Sequence, residues 1–147
     1  MAEQNALQPG NVFRINRGPV STTQLVKYAG ASGDFNRIHF DQPFAQEAGL
    51  KGVIAHGMLT MGFAASCLSD AIGPQVFLKR ISARFLSPVW VGDVVEVTAT
   101  VTEATAEGAA LVELEARVGD KTVLRGKAAA VLTAETAAAD NIQARAT

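Results

Sequence analysis

Residues 58–72 read MLTMGFAASCLSDAI. Apolar side chains fall on almost every face of that stretch, and Gly73 and Pro74 end it. A helix that is apolar all round belongs in the interior of a fold. The period then changes. Val95, Val97, Ala99 and Val101 alternate with Glu96, Thr98, Thr100 and Thr102 over 94–103. Over 109–118, Val112, Leu114, Ala116 and Val118 alternate with Glu113, Glu115 and Arg117. A period of two marks strands buried on one face. Residues 76–87 alternate in part, 122–132 make a last strand, and Gly119, Asp120 and Lys121 signal a hairpin. Each long strand is expected to pair antiparallel with its neighbour. A sheet wrapped around one greasy helix satisfies both patterns, burying every helix face and one face of each strand. Composition and period by themselves support α+β with an antiparallel sheet.

Upstream, Asn11 to Asn16 is a short candidate strand. Ser21 and Gln24 have the spacing of a capping box, and Leu25, Val26, Tyr28 and Ala29 follow at helical spacing. That helix is expected to end near Gly30 to Gly33. Residues 33–39, GDFNRIH, read as an irregular turn. Asp41 is placed to cap a second short helix over 42–48, with Pro43 in its first turn. A chain of 147 residues fits one domain. Residues 1–10 are expected to be a flexible N-terminus and 11–133 the domain. The Ala-rich tail 134–147 has no apolar stripe to dock it and is expected to be disordered.

Composition excludes several classes. Thirteen basic against fourteen acidic residues give a net charge of -1, which argues against nucleic acid as a partner. The single cysteine, Cys67, cannot form an internal disulfide. On the apolar helix it reads as a small buried hydrophobe. No signal-peptide pattern opens the chain, and the apolar stretch is short for a membrane span. A cytoplasmic protein without membrane contact is expected. Two histidines and one cysteine lack metal-ligand spacing, so no metal is expected.

The chemistry-bearing string is YAGASGDFNRIHFD, residues 28–41. Asp34 and His39 lie five residues apart in a Gly-containing turn. A carboxylate and an imidazole on one loop can aim at one point where a water sits, and the imidazole exchanges a proton near neutral pH. In the plainer reading, Asp34 and Asn36 cap a turn and His39 is a surface or core histidine. A second signal is Ala55-His56-Gly57-Met58 at the start of the apolar helix. The first amides of a helix lack internal partners and carry partial positive charge, so the Gly57 amide suits an oxyanion. Equally, His56 and Gly57 can be no more than a helix start.

Taken together, these segments resemble the MaoC-like dehydratase and (R)-specific enoyl-CoA hydratase family. Its motif of Ser-Gly-Asp, any residue, Asn-Pro, an aliphatic residue and His is matched by Ser32, Gly33, Asp34, Asn36, Ile38 and His39. His56, Gly57 and Met58 match its downstream helix start, and RFLSPVWVGDVV at 84–95 resembles its strand and turn. The resemblance covers about residues 10–133. It implies a single hot-dog fold, a long antiparallel sheet wrapped around a central apolar helix. It implies reversible hydration of trans-2-enoyl thioesters to (3R)-3-hydroxyacyl thioesters, carried by coenzyme A or acyl carrier protein, with no other cofactor. Asp34 and His39 would activate the water and the Gly57 amide would bind the thioester carbonyl. Asn36 would orient the catalytic loop or His39, with Ser32 and His56 in support. A homodimer is implied, with a heterodimer of related subunits as the alternative.

One position departs from the motif: Arg37 stands where the family has proline. It frees the backbone between Asn36 and His39. Its guanidinium either meets a phosphate of the thioester carrier or is a solvated loop arginine. Lys79, Arg80 and Arg84 likewise either line a coenzyme A entrance or lie on a solvent-facing strand. Two rival functions share the fold. A hot-dog acyl-CoA thioesterase would place an acid on or near the central helix, where 58–69 hold none and Asp70 comes at the far end. A tunnel-shaping subunit would lack the Asp/His pair.

Overall fold

A computed structural model describes residues 7–133. Along them run β1 (Val12–Arg17), α1 (Thr22–Ser32), a 3-10 turn (Arg37–His39), α2 (Gln42–Glu47) and α3 (Gly57–Ile72). Then come β2 (Val76–Phe85), β3 (Val95–Ala104), β4 (Ala109–Val118) and β5 (Lys121–Leu132). The strands form one antiparallel sheet in the order β1-β3-β4-β5-β2, curled against α3 as the hot-dog fold requires.

The local signals act as expected. Ser21 caps α1 through the Gln24 amide at 3.1 Å, and Asp41 caps α2 through the Phe44 amide at 3.1 Å. The inward set Val95, Val97, Ala99 and Val101 is buried, as are Val112, Leu114 and Ala116. They pack against Leu59, Phe63, Ala64, Cys67 and Leu68 of α3. Removing a large aliphatic or aromatic side chain from water contributes roughly 1.5–3 kcal/mol, so this layer dominates the stability.

Three expectations need correction. Neighbouring strands do not all pair: β3–β4 and β4–β5 do, but β2 pairs with β5. The segment 86–94 carries the chain from one sheet edge across to the far side, bonding on the way to residues 54 and 55. Nor is α3 buried all round. Its buried stripe is Leu59, Thr60, Phe63, Ala64, Cys67 and Leu68, whereas Met58 and Gly62 are exposed. A curled sheet covers one side of a helix and leaves the other to something else. Finally, the expected loose start is docked from Leu7 onward. Leu7 is buried in the core, and the Gly10 amide donates to Val101 O at 2.9 Å. The expected disordered tail, 134–147, and residues 1–6 lie outside the described residues. No helix among the described residues is long and apolar enough to cross a membrane.

Strands β2 and β5 approach closely at Gly126, where an added Cβ would collide with the Ser82 carbonyl oxygen. Gly126→Ala is expected to destabilise the fold by about 1–3 kcal/mol, as overpacking does. Gly30, in exposed α1, has nothing within 4 Å of an added Cβ. Gly30→Ala is expected to be neutral or stabilising, by up to about 1 kcal/mol. Denaturant midpoints of the two variants should therefore move in opposite directions.

Candidate active site

The segment after α1 is built from side chains that bond their own backbone. Gly33 caps α1 in the left-handed region at φ 74, ψ 8, which suits glycine. Ser32 Oγ donates to Tyr28 O at 2.7 Å and accepts from the Asp34 amide at 3.2 Å. Asp34 Oδ1 accepts from the Asn36 amide at 3.1 Å, and Asn36 Oδ1 accepts from the Ile38 amide at 3.3 Å. These Asx and Ser turns give the string local order of its own. The plain capping role of Asp34 is thus real, but it uses only one carboxylate oxygen.

The other oxygen, Oδ2, faces His39 Nε2 at 4.0 Å. His39 is buried, and its Nδ1 bonds Ile54 O at 2.7 Å. A carbonyl only accepts, so Nδ1 carries the proton and Nε2 presents a lone pair. Burial holds the His39 imidazole below its ordinary value of 6.5, the neighbouring His56 adding to the fall. The Ile54 bond and the Asp34 carboxylate act the other way without reversing it. Two acceptors cannot bond each other directly. A water about 2.8 Å from each would fit that 4.0 Å gap and could donate a proton to both. The Asp34 side chain is 54% exposed, so that position is open to a reactant.

At the start of α3, the Leu59 and Thr60 amides both reach His56 O. The Gly57 and Met58 amides therefore precede the first helical bond. A Cβ on Gly57 would sit 3.3 Å from the Phe85 ring, so a side chain there would crowd β2. His56 is buried, with Nε2 3.1 Å from the Asp34 carbonyl oxygen. Its ring stacks on that of His39, with centroids 3.7 Å apart, and lies 4.8 Å from that of Tyr28.

Ligand atoms of Asp34, His39 and His56 lie within 4.8 Å of one another, a spread the linear spacing of these residues did not suggest. The arrangement does not suit a metal ion. Stacked imidazoles, 3.7 Å apart and tilted by only 21°, keep their in-plane lone pairs in nearly parallel planes rather than aimed at one point between them. His56 Nε2 must also hold a proton to bond the Asp34 carbonyl.

Ser32, Asp34, Asn36, His39 and His56 thus form one cluster, beside Gly57. Arg37 turns away from it. Its Nε and Nη2 both donate to Asp41 Oδ2, at 3.0 and 2.7 Å, and its guanidinium lies 4.3 Å from the Phe44 ring centroid. That clamp engages the Nε and Nη2 edge of the guanidinium, whose side chain stays 58% exposed. Asn36 stands at φ -59, ψ 123, an extended backbone that a following proline also accepts. Asp70, the acid at the far end of α3, is paired with Arg17. Burial pushes the Cys67 thiol up to about 11, so it stays protonated. Arg84 lines a charged groove on the outer face of the sheet with Glu115, Arg125 and Lys127, apart from the cluster. Sequence reasoning missed Ile54, whose contribution is a backbone carbonyl that any residue supplies. It also missed Tyr28, which reads as a core position of α1.

The family model described as MaoC like domain matches residues 4–123. The (R)-specific enoyl-CoA hydratase of Rhodospirillum rubrum is 33% identical over 117 residues, spanning 78% of this chain and 81% of that protein. The 3-hydroxybutyryl-CoA dehydratase of Methylorubrum extorquens is 34% identical over 116 residues, spanning 78% of this chain and 74% of that protein. The solved (R)-hydratase from A. caviae involved in PHA biosynthesis superposes with a TM-score of 0.81 at 26% identity, covering 86% of this chain and 98% of that one.

The depressed titration of His39 has a signed consequence for stability. The folded chain favours the neutral ring, so its contribution is full above about 6.5 and is lost as the pH falls through the lower folded value. The melting-temperature gap between wild type and His39→Gln should therefore narrow between about pH 7.5 and pH 5. An unchanged gap would show that the fold does not disfavour the imidazolium.

Proposed function

This chain belongs to the MaoC-like domain family and is a hydro-lyase, and we propose that it hydrates trans-2-enoyl thioesters reversibly to (3R)-3-hydroxyacyl thioesters. The observation that carries the proposal is the pair Asp34 Oδ2 and His39 Nε2, held 4.0 Å apart with the His39 tautomer fixed by Ile54. In the hydration direction the pair holds one water. Its oxygen forms the bond to C3 while one of its protons passes to the pair. That proton is then delivered to C2, and the pair returns to its starting state. Dehydration reverses each step: the C2 proton is taken up and leaves with the hydroxyl as water.

The charge that develops on the thioester oxygen needs donors that are already in place. The Gly57 amide, at the positive end of α3, is assigned that role. The acyl group arrives on coenzyme A or on the phosphopantetheine of an acyl carrier protein, and no other cofactor takes part. A cytoplasmic location belongs to the same proposal, resting on the lone cysteine and the composition.

The proposal includes a second copy of the chain. Strand β2 is a ten-residue edge, and Met58, Phe85 and Leu86 are exposed near the start of α3. Long open edges and apolar surfaces favour association. Two copies joined there would cover the open side of α3 and limit water around the half-exposed Asp34. A related but different subunit is the alternative partner.

Two experiments test this reading. With a short trans-2-enoyl-CoA, Asp34→Asn and His39→Ala are each expected to lower the hydration rate by about 10²–10⁴-fold with the fold intact. Near-normal rates in both would remove the pair from the mechanism. Hydrolysis of acyl-CoA without hydration of enoyl-CoA would put a thioesterase in its place. Sedimentation should give a particle of twice 15.4 kDa, and a monomer that is fully active would refute the dimer.

A further inference from the structure

We propose that His56 is a positioning residue, one buried ring that sets the His39 imidazole and the Asp34 backbone relative to each other. The inference rests on the role proposed above for Asp34 and His39 and explains how their separation is kept.

His56 stands at the N-cap of α3, where Ser, Thr, Asp or Asn normally bonds the helix's own first amides. Its side chain makes no such bond. Instead it reaches back twenty-two residues to the Asp34 carbonyl. Asp34 is thereby held on three sides: its amide by Ser32, its Oδ1 by the Asn36 amide and its carbonyl by His56. Only Oδ2 is left to face His39.

The same ring supports His39 from the side. An in-plane bond from Nδ1 to Ile54 fixes where that ring begins, but leaves it able to rock about the bond. The His56 face, 3.7 Å away and tilted by 21°, blocks the rocking. Tyr28 of α1 lies 4.8 Å from the His56 ring and limits it in turn. His56 Nδ1 has no hydrogen-bond partner among the described residues, so a proton there would find no acceptor. A leucine would fill this space without the cost of a buried polar atom left unpaired. A histidine that carries that cost, donates to one member of the pair and stacks on the other is placed for geometry rather than packing.

The titratable groups facing His39 are Asp34 from its own turn and His56 from the start of α3, while the Arg37 guanidinium is engaged by Asp41. Because the His56 imidazole helps keep His39 low, its removal should let the His39 titration rise.

The test uses three variants of the full chain. His56→Phe keeps a ring face and loses the donor; His56→Gln keeps a donor and loses the face; His56→Leu loses both. With a short trans-2-enoyl-CoA, kcat should fall by about a hundredfold in His56→Leu, the scale of a small misplacement of catalytic groups. KM should stay within about threefold of wild type, and the Phe and Gln variants should each recover part of the loss. A fall in kcat of less than about threefold, or a loss carried by KM alone, overturns the inference. If His56→Leu does not fold, the Phe and Gln variants are judged by the same limits. A second readout does not need activity. The His39 ring titration, followed by proton NMR, should move up in His56→Phe, and an unmoved titration overturns the inference. A wild type that hydrates no enoyl thioester would refute the proposed function and leave this titration to decide the geometry.

Discussion

The backbone of Ile54 is bonded through both its amide and its carbonyl to the turn that carries Asp34 and His39. Its amide donates to Ile38 O at 3.1 Å, and its carbonyl accepts from His39 Nδ1 at 2.7 Å. Which nitrogen of His39 is basic follows from that one carbonyl. Without it, a buried N–H would go unpaired, at a cost of about 1–3 kcal/mol. Ile54 is itself fixed by its bridge to Trp90 and by the bond from the Ala55 amide to Val89 O. Those residues belong to the segment that takes the chain from β2 across to β3. The crossing that orders the sheet is therefore also the support of the imidazole.

Helix α3 joins the same two tasks. Its stripe from Leu59 to Leu68 fills the curl of the sheet. Its first residues, His56 and Gly57, stand beside the pair. Packing along the stripe thus fixes where the helix begins. A slip of the helix along its axis would displace the Gly57 amide and the His56 ring together. The cluster of Asp34, His39 and His56 is held in place because it hangs from the well-buried stripe of α3.

Much of this was legible in the sequence. Strands β3 and β4 alternate cleanly because each has one wet face, and the caps Ser21 and Asp41 are chemically explicit. Asp34 and His39 stood out only beside Gly57 and the family's motif, because a Gly-containing turn with Asp and Asn reads equally as a capped turn. Strand order was not. Pairing β2 with β5 depends on a path through space that alternation does not encode. The open side of α3 was hidden because an apolar helix reads the same whether its own sheet or something else covers it. The stacking of His56 on His39 joins residues seventeen apart, and the partner of Nδ1 is a backbone carbonyl. Neither leaves a mark in residue type.

The Arg37 clamp ties the stiffness of this turn to charge. Asp41 is already needed at that site, since it caps α2. Phe44 is already there, in the helix that Asp41 begins. An arginine arriving at position 37 meets a ready carboxylate and a ready ring, and the backbone at Asn36 keeps a shape that proline also takes. Arg37 therefore acts here as an ionic stiffener at a position whose backbone also accepts the covalent stiffening of proline. The two supports differ in kind. A pyrrolidine ring is indifferent to its medium, whereas an exposed guanidinium–carboxylate pair weakens as ionic strength rises. The exchange makes the stiffness of this turn a property shared with the surrounding solution.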